Sequence, residues 1–123
     1  MKIKLHEVEL NAKDPEASKR FYNQILGIPI NLDEEGLKCF DSGWPGLDID
    51  ASVHFPGVVS ISFLVEDIDS FVKDLRAKGV EVDDPGNSHL GMRAFVLEDP
   101  DGHRVEIRSP TDKSPQWLKD VIK

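Results

Sequence analysis

The stretch Asp99-Pro100-Asp101-Gly102-His103-Arg104-Val105-Glu106-Ile107 predicts a tight turn that is followed at once by a strand. Pro100 and Gly102 suit a reverse turn, because proline fixes φ and glycine tolerates the left-handed region. Side chains of a strand alternate between two faces, so Glu106 lies on the opposite face from the apolar residues beside it. This carboxylate is therefore predicted to bind a metal or a substrate, or to form half of an ion pair.

Length and charge limit the class of protein. The 123 residues suffice for one domain with a hydrophobic core and are too few for two full-sized domains. The net charge of −8 argues against nucleic acid and anionic membranes as partners, because both need clustered Lys and Arg. Cys39 is the only cysteine, which excludes an internal disulfide, and no apolar stretch reads as a signal region or a membrane span. We expect a cytoplasmic protein with a small or cationic partner, or with none.

The two halves of the chain repeat one order of elements. Asp14 and Asp67, which would begin helices, stand 53 residues apart, and Gly27 and Gly79, which would end them, stand 52 apart. An alternating strand precedes each helix, at 7–12 and 60–65. Three segments of strand length follow each helix, at 28–32, 37–42 and 47–54 in the first half and at 80–83, 93–98 and 103–108 in the second. Residues 85–88 are predicted to form a loop.

The repeat predicts an α+β fold built from two strand-helix-strand-strand-strand (βαβββ) modules within a single domain, residues 1–123. Module one covers about 3–55 and module two about 57–110, with helices near 14–26 and 68–78. A tail helix at about 114–122, capped by Ser114-Pro115, is expected to follow. Three apolar side chains of this helix are available for docking or for contact with a second subunit: Trp117, Leu118 and Val121.

Taken together, the motifs resemble the vicinal oxygen chelate superfamily of glyoxalase I, extradiol dioxygenases, fosfomycin-resistance enzymes and bleomycin-resistance proteins. The resemblance covers residues 3–110. The matching residues are Asp14, Ser18, Phe21-Tyr22, Leu26-Gly27, Phe63, Val65, Asp67, Gly91-Met92-Arg93 and the stretch 99–106. The resemblance implies that eight strands form one curved, cup-shaped sheet with the helices outside, and that metal and substrate lie on the cup floor. It also implies a homodimer.

Period-two alternation assigns the faces of the strands without reference to the family. If Val8, Leu10 and Ala12 pack under a helix, the polar residues between them face the cup, and the same rule applies to the other strands. The residues that face the cup are then Glu7, Glu9, Asn11, Asp48, Asp50, Ser60, Ser62, Leu64, Arg104, Glu106 and Arg108. The predicted inner surface is polar and strongly charged, which is typical of a binding site and not of a core.

The resemblance implies metal ligands on the first and last strands of each module, at Glu7, Asp48, Ser60 and Glu106. A serine hydroxyl is a poor metal ligand, so the candidate metal ligands are the three carboxylates. An all-oxygen set favours Mg²⁺ or Mn²⁺ over Zn²⁺ or Fe²⁺. Three carboxylates that lie close together repel one another unless a cation lies between them. Either a metal ion or a nearby arginine could be that cation. A weakly held divalent metal and no metal at all therefore both stay open.

Two functions fit this pattern. The first is a glyoxalase-like or dioxygenase-like enzyme, in which a divalent ion polarises a small oxygen-bearing substrate and Glu7 or Glu106 transfers a proton. The second is a metal-free small-molecule-binding protein of the bleomycin-resistance type, whose acidic cup holds a cationic molecule. The candidate substrate-binding residues are Ser60, Ser62, Arg93, Arg104, Trp44 and His89.

The remaining reactive side chains give weaker signals. Cys39 has no base beside it in sequence, which indicates a buried and unreactive thiol. His54, His89 and His103 lie in or beside predicted turns, where histidines are usually solvated, although His89 would border the mouth of the cup if the resemblance holds. Trp44 could stack on a planar ligand or cover the edge of a sheet.

Overall fold

The computed structural model describes residues 6–123 and confirms the α+β class, with eight strands and three α-helices in that range. Contacts divide the chain into two compact units. The first unit consists of the residues up to Val59 together with the turn Asp99–His103, and the second consists of Ser60–Glu98 and Arg104–Lys123. The predicted modules place that turn in the second half, and the predicted start of module one near residue 3 lies outside the described residues. Within residues 6–123, no helix is both long and apolar enough to cross a bilayer.

The first unit contains β1 (Glu7–Asn11), α1 (Pro15–Lys19), β2 (Ile30–Glu34), β3 (Leu37–Asp41) and β4 (Asp48–Ser52). Its sheet has the order β1-β4-β3-β2, with β1 parallel to β4 and the other pairs antiparallel. Asp14 begins α1 as predicted, since its carboxylate accepts a hydrogen bond from the Glu16 N–H at 3.1 Å. The helix continues as a π-helical segment, Arg20–Ile25, and Gly27 follows with a φ of 81°.

The core of the first unit lies between this helical stretch and one face of the sheet. Tyr22 is fully buried and contacts Phe21 and Phe40, with ring centroids 4.9 and 5.2 Å apart. Lys38 is buried on the same side of the sheet as Phe40. Its ammonium bonds the carboxylates of Glu16 and Asp33 at 2.6 and 2.5 Å and the Glu34 carbonyl at 2.8 Å, so each of its protons has an acceptor.

The second unit contains β5 (Ser60–Leu64), α2 (Ile68–Ala77), β6 (Gly86–Asn87), β7 (Arg93–Glu98), β8 (Arg104–Ser109) and α3 (Gln116–Val121). Its sheet has the order β5-β8-β7-β6, which repeats that of the first unit, and β5 is parallel to β8. Asp67 begins α2 by accepting a hydrogen bond from the Ser70 N–H at 3.1 Å. The core is formed by Ile68, Val72 and Leu75 of α2, together with Phe95, Val105 and Ile107.

The eight strands form two sheets of four, one for each predicted module. Two local expectations differ from the structure. Residues 80–83 do not form the predicted strand, and β6 lies inside the predicted loop. The reason is that Val80 N–H donates to the Leu75 carbonyl, and the Arg76 guanidinium occupies the Val82 carbonyl, so this segment completes the end of α2. The hydroxyl of Ser114 accepts from the Thr111 N–H and does not cap α3.

Candidate functional site

Glu106 lies in a charged cluster on one face of the second sheet. Strand register places Arg104 and Arg108 on the same face, beside Ser60, Ser62 and Leu64 of β5. Glu106 is 8% exposed, and both guanidinium groups donate to its Oε2, Arg104 at 2.9 Å and Arg108 at 3.1 Å. The hydrogen bond from Arg108 is the main reason that the pKa of Glu106 is lowered, in spite of the opposing effect of burial. Glu106 is therefore a carboxylate at neutral pH and has the ion-pair partners that the sequence allowed.

The second sheet suits a divalent metal poorly. Two fixed positive charges already hold the carboxylate of Glu106, and the neighbouring side chains of β5 on this face are the hydroxyls of Ser60 and Ser62. A cation placed at Oε2 would have to displace both guanidinium groups. Among residues 6–123, no three His, Cys, Asp or Glu side chains are grouped so as to hold a metal ion.

Two of the other predicted binding residues lie away from this cluster. Arg93 points to the helix-covered side of the second sheet, where its Nη1 bonds the two carboxylate oxygens of Asp69 at 3.2 and 3.0 Å. His89 is exposed in the 3₁₀ turn His89–Gly91. Strand alternation could have excluded Arg93 from this cluster, because Arg93 and Glu106 lie on opposite faces of the second sheet.

Four carboxylates share one face of the first sheet, and we call them the acidic face: Glu7, Glu9, Asp48 and Asp50. Glu7 lies beside Asp48 in register, and Glu9 lies beside Asp50. A hydrogen bond with Glu7 is the main reason that the pKa of Glu9 is raised. The ion pairs found within residues 6–123 bring no Lys or Arg to these four groups; only the exposed His6 approaches, 3.9 Å from Glu7.

Register changes one of the predicted positions. In the second sheet Ser60 pairs with Arg104, and Glu106 follows two residues later. In the first sheet Glu7 pairs with Asp48, so the residue two positions later is Asp50. The counterpart of Glu106 is therefore Asp50 and not Asp48, the residue predicted from the sequence. The sequence did contain a signal, since Asp50 lies between two apolar residues just as Glu106 does.

Asp50 differs from Glu106 in its partners. It is 5% exposed, and its Oδ1 has no hydrogen-bond partner among the residues that the structure describes. The thiol of Cys39 lies next to it across the sheet, and burial, reinforced by Asp50, raises the pKa of that thiol to about 12. Cys39 is thus a buried and unreactive thiol, as predicted.

Trp44 belongs to the loop between β3 and β4, next to the start of the acidic face. Its indole is 58% exposed. The loop is held by hydrogen bonds from the Gly43 N–H to Asp41 at 2.8 Å and from the Trp44 N–H to the Ser42 hydroxyl at 3.1 Å. Asp41 is the register partner of Asp48, and Trp44 lies three residues after Asp41 in the chain.

The turn Asp99–His103 has a structural role that the sequence did not reveal. The expectation that His103 is solvated is wrong, because this residue is 1% exposed. Its Nδ1 accepts from the Val59 N–H at 2.9 Å, so Nε2 carries the proton and donates to the Asn11 carbonyl at 2.6 Å. Asp99 accepts from the Tyr22 hydroxyl at 2.8 Å and from the His103 N–H at 2.9 Å. Only partners distant in sequence make this histidine a core residue.

The chain resembles known proteins over most of its length. The sequence pattern of the Glyoxalase family, described as the Glyoxalase/Bleomycin resistance protein/Dioxygenase superfamily, matches residues 4–107. The uncharacterized protein YraH of Bacillus subtilis (strain 168) is 27% identical over 124 residues, which cover 85% of this chain and 97% of YraH.

Two solved structures illustrate the range of the fold. TnmS3, an antibiotic binding protein from Streptomyces sp. CB03234, has a TM-score of 0.75 and 22% identity, and the match covers 90% of this chain and 99% of TnmS3. Lactoylglutathione lyase from Agrobacterium tumefaciens has a TM-score of 0.73 and 19% identity, covering 89% of this chain and 95% of that one. With two βαβββ repeats and a family pattern that spans most of its length, the chain belongs to the glyoxalase/bleomycin resistance protein/dioxygenase superfamily.

Proposed function

We propose that this chain is a small-molecule-binding protein that needs no metal ion, the second of the two functions that the sequence allows. One observation carries the proposal. Glu106, at the position that the family resemblance assigns to a metal ligand, is bonded through Oε2 to Arg104 and Arg108. A carboxylate that two guanidinium groups already neutralise has little attraction left for a divalent cation.

The side chains beside Glu106 on the neighbouring strand β5 also support the proposal. Ser60 and Ser62 offer neutral hydroxyls, which hydrogen-bond organic molecules well and bind metals weakly. Arg104 is half exposed, so one face of this sheet presents a guanidinium and two hydroxyls to a ligand. Such a set of convergent polar groups orients a small organic molecule.

The solved relatives support the fold and leave the choice of function to these residues. One of them is an antibiotic binding protein and another is a lyase, and both are less than 25% identical to this chain. A shared fold of this kind hosts binding and catalysis alike. The proposal therefore depends on the arginine pair and not on the neighbours.

Metal analysis tests the proposal directly. The protein is purified without added metal or chelator, analysed for bound elements, and then titrated with Mn²⁺, Ni²⁺ and Zn²⁺ by calorimetry. We expect no stoichiometric transition metal and no saturable metal binding in the micromolar range. The variant Arg104→Gln/Arg108→Gln should bind Mn²⁺ more tightly than the wild type, because the competing cations are gone. Arg76→Gln, which removes an arginine paired with Asp84 on α2, is the matched control.

One equivalent of zinc, iron, nickel or manganese per wild-type chain would overturn the proposal and favour the metal-dependent enzyme. Equal Mn²⁺ affinity in the wild type and the double arginine variant would show that the arginines do not govern metal binding, and would count against the argument in the same way.

A further inference from the structure

We propose that a groove on the helix-covered side of the second sheet binds a phosphate group carried by a small molecule. The groove has a volume of about 440 Å³ and lies within the second unit, between α2 and the segment before β6. We call it the α2 groove, and its charged lining residues are Asp69, Lys73, Arg76, Asp84 and Arg93. Arg93 faces the opposite side of the sheet from the Glu106 cluster, so this inference goes beyond the proposed function.

Helix α2 supplies a lysine that has no ion pair. Asp69, Lys73 and Arg76 are spaced by four and three residues, which places them on one face of the helix. Lys73 is exposed, and none of the ion pairs found within residues 6–123 includes it. Three positive and two negative side chains therefore line the α2 groove, although the whole chain has a net charge of −8. This local excess of positive charge favours an anion.

Each arginine of the groove is held in place by one carboxylate. Nη1 of Arg93 donates to both oxygens of Asp69 at 3.2 and 3.0 Å, and Nη2 of Arg76 donates to Asp84 at 2.9 Å. Nη2 of Arg76 also donates to the Val82 carbonyl at 2.9 Å, in the segment that borders the groove. In the part of the chain that the structure describes, Nε and the other Nη of both arginines have no hydrogen-bond acceptor. These N–H groups remain to donate to a ligand.

A phosphate group matches these donors better than a carboxylate does. A phosphate ester carries a charge of about −1.5 to −2 at pH 7 and has three strong acceptor oxygens, whereas a carboxylate has one charge and two oxygens. The volume of the groove lies in the range of small-molecule sites, about 300–1,000 Å³. Val72 and Pro85 add apolar atoms to its wall. The groove therefore has room for an organic group beside the phosphate.

The test follows the backbone amide NMR signals of the full chain in a phosphate-free buffer of low ionic strength. Three probes separate the parts of the ligand: phenyl phosphate, inorganic phosphate and phenol. With phenyl phosphate we expect saturable shifts for the amides of α2, Asp84 and Arg93. Inorganic phosphate should shift the same amides with an affinity at least about threefold lower, because it makes no apolar contact. Phenol should cause no shifts at the same concentrations.

Lys73→Gln is the decisive variant, because Lys73 has no ion pair within residues 6–123 to lose. It should weaken phenyl phosphate by about threefold or more, the scale of one exposed charge pair. Lys73→Gln/Arg93→Gln should weaken it by about tenfold or more, since Asp69 then faces the ligand without its counter-charge. Lys13→Gln, which removes the same charge at an exposed position of the first unit, should leave the affinity unchanged.

Three results would overturn the inference: no saturable shift with phenyl phosphate, shifts confined to β5 and β8, or equal affinity in the wild type and Lys73→Gln. Phenol shifts as large as those of phenyl phosphate would also overturn it, since the apolar group alone would then account for binding. Inorganic phosphate that binds as tightly as phenyl phosphate would overturn the organic part of the ligand and identify free phosphate in its place.

Discussion

Asp50 and Glu106 occupy equivalent places in the two sheets and have opposite surroundings. Two guanidinium groups neutralise Glu106, whereas Asp50 has carboxylates and a thiol as neighbours on its face. Burial raises the free energy of both carboxylates; Glu106 is compensated by two charge-assisted hydrogen bonds, whereas the buried Oδ1 of Asp50 accepts none from the described residues. The sequence predicted that both residues leave the core side of their strands, and alternation in β8 also allowed Arg104 and Arg108 as partners of Glu106. β4 has no arginine at the equivalent positions.

Replacing Glu106 by Gln should lower the free energy of unfolding at pH 7 by about 1–2 kcal/mol, because two charge-assisted hydrogen bonds are lost. Arg108 and Arg104 lower the pKa of Glu106 in the folded state. Its stabilisation is therefore complete above the pKa of an ordinary glutamate and disappears as the pH falls through the lowered folded-state value.

Urea denaturation of the wild type and Glu106→Gln at several pH values measures this contribution. The difference between them should shrink towards zero in acid, while Glu35→Gln, at an exposed position, should show little difference at any pH. A difference that stays constant with pH would mean that the carboxylate's charge is not the source of the stabilisation.

Tyr22 allows a test of the buried network at the turn. Burial, with the nearby Asp99 carboxylate, raises the pKa of Tyr22 well above its usual range. The folded state therefore keeps this proton at alkaline pH, and the stability that depends on it is lost as the pH rises above the pKa of an ordinary tyrosine. Since Tyr22 is the only tyrosine, tyrosinate absorbance should appear only as the protein unfolds.

Removing the hydroxyl with Tyr22→Phe should cost about 1–3 kcal/mol of unfolding free energy, because the buried Asp99 loses a donor. A double-mutant cycle of Tyr22→Phe, Asp99→Asn and the variant that carries both changes measures the coupling between the two side chains. If the two single changes are simply additive in that cycle, the hydrogen bond makes no coupling contribution.

At the level of the elements, local rules placed the helices well. Asp14 and Asp67 are helix caps in the structure, and Gly27 and Gly79 have the positive φ values that end a helix, 81° each. The short strand β6 was not predicted, because its two residues, Gly86 and Asn87, have poor strand propensity and are extended only through pairing with β7. Tertiary pairing decided the structure where local propensity was weak.

Gly91, in the turn before β7, packs against the backbone of the segment before α3, and we expect a side chain at this position to be destabilising. Its φ is +68°, and an added Cβ would come within 2.7 Å of the backbone carbon and oxygen of Lys113. We expect Gly91→Ala to lower the unfolding free energy by about 2–4 kcal/mol, from backbone strain and overpacking combined.

Gly36→Ala separates these two effects. Gly36 also has a positive φ, +81°, but an added Cβ would have open space around it. This variant should lose only about 1–2 kcal/mol in the same denaturation experiment. Equal losses for Gly36→Ala and Gly91→Ala would show that the contact with Lys113 is unimportant.

At the level of the whole molecule, assembly stays a prediction. In α3, Leu118 is buried, whereas Trp117 and Val121, one helical turn apart, are 62% and 41% exposed. Exposed apolar side chains on one helix face are typical of contacts between subunits. We predict a homodimer that is weakened by about tenfold or more when Trp117 is changed to Lys.

Sedimentation velocity across the micromolar range measures this equilibrium. Gln116→Lys adds the same charge to an exposed position of the same helix and should change the dimer much less. A wild-type chain that stays monomeric throughout that range would contradict the prediction, and equal weakening by both substitutions would move the contact away from Trp117.

The turn Asp99–His103 has a consequence for how the two halves of the chain depend on each other. The turn lies between β7 and β8 in the sequence, yet it belongs to the first unit. There Asp99 accepts the hydrogen bond of the Tyr22 hydroxyl, and the His103 ring hydrogen-bonds to Val59 and Asn11. A polypeptide that ends at Val59 would therefore lack part of its own interior. We therefore expect that the two repeated halves do not fold separately, and that a cut between them leaves the N-terminal fragment unfolded until the C-terminal fragment is added back.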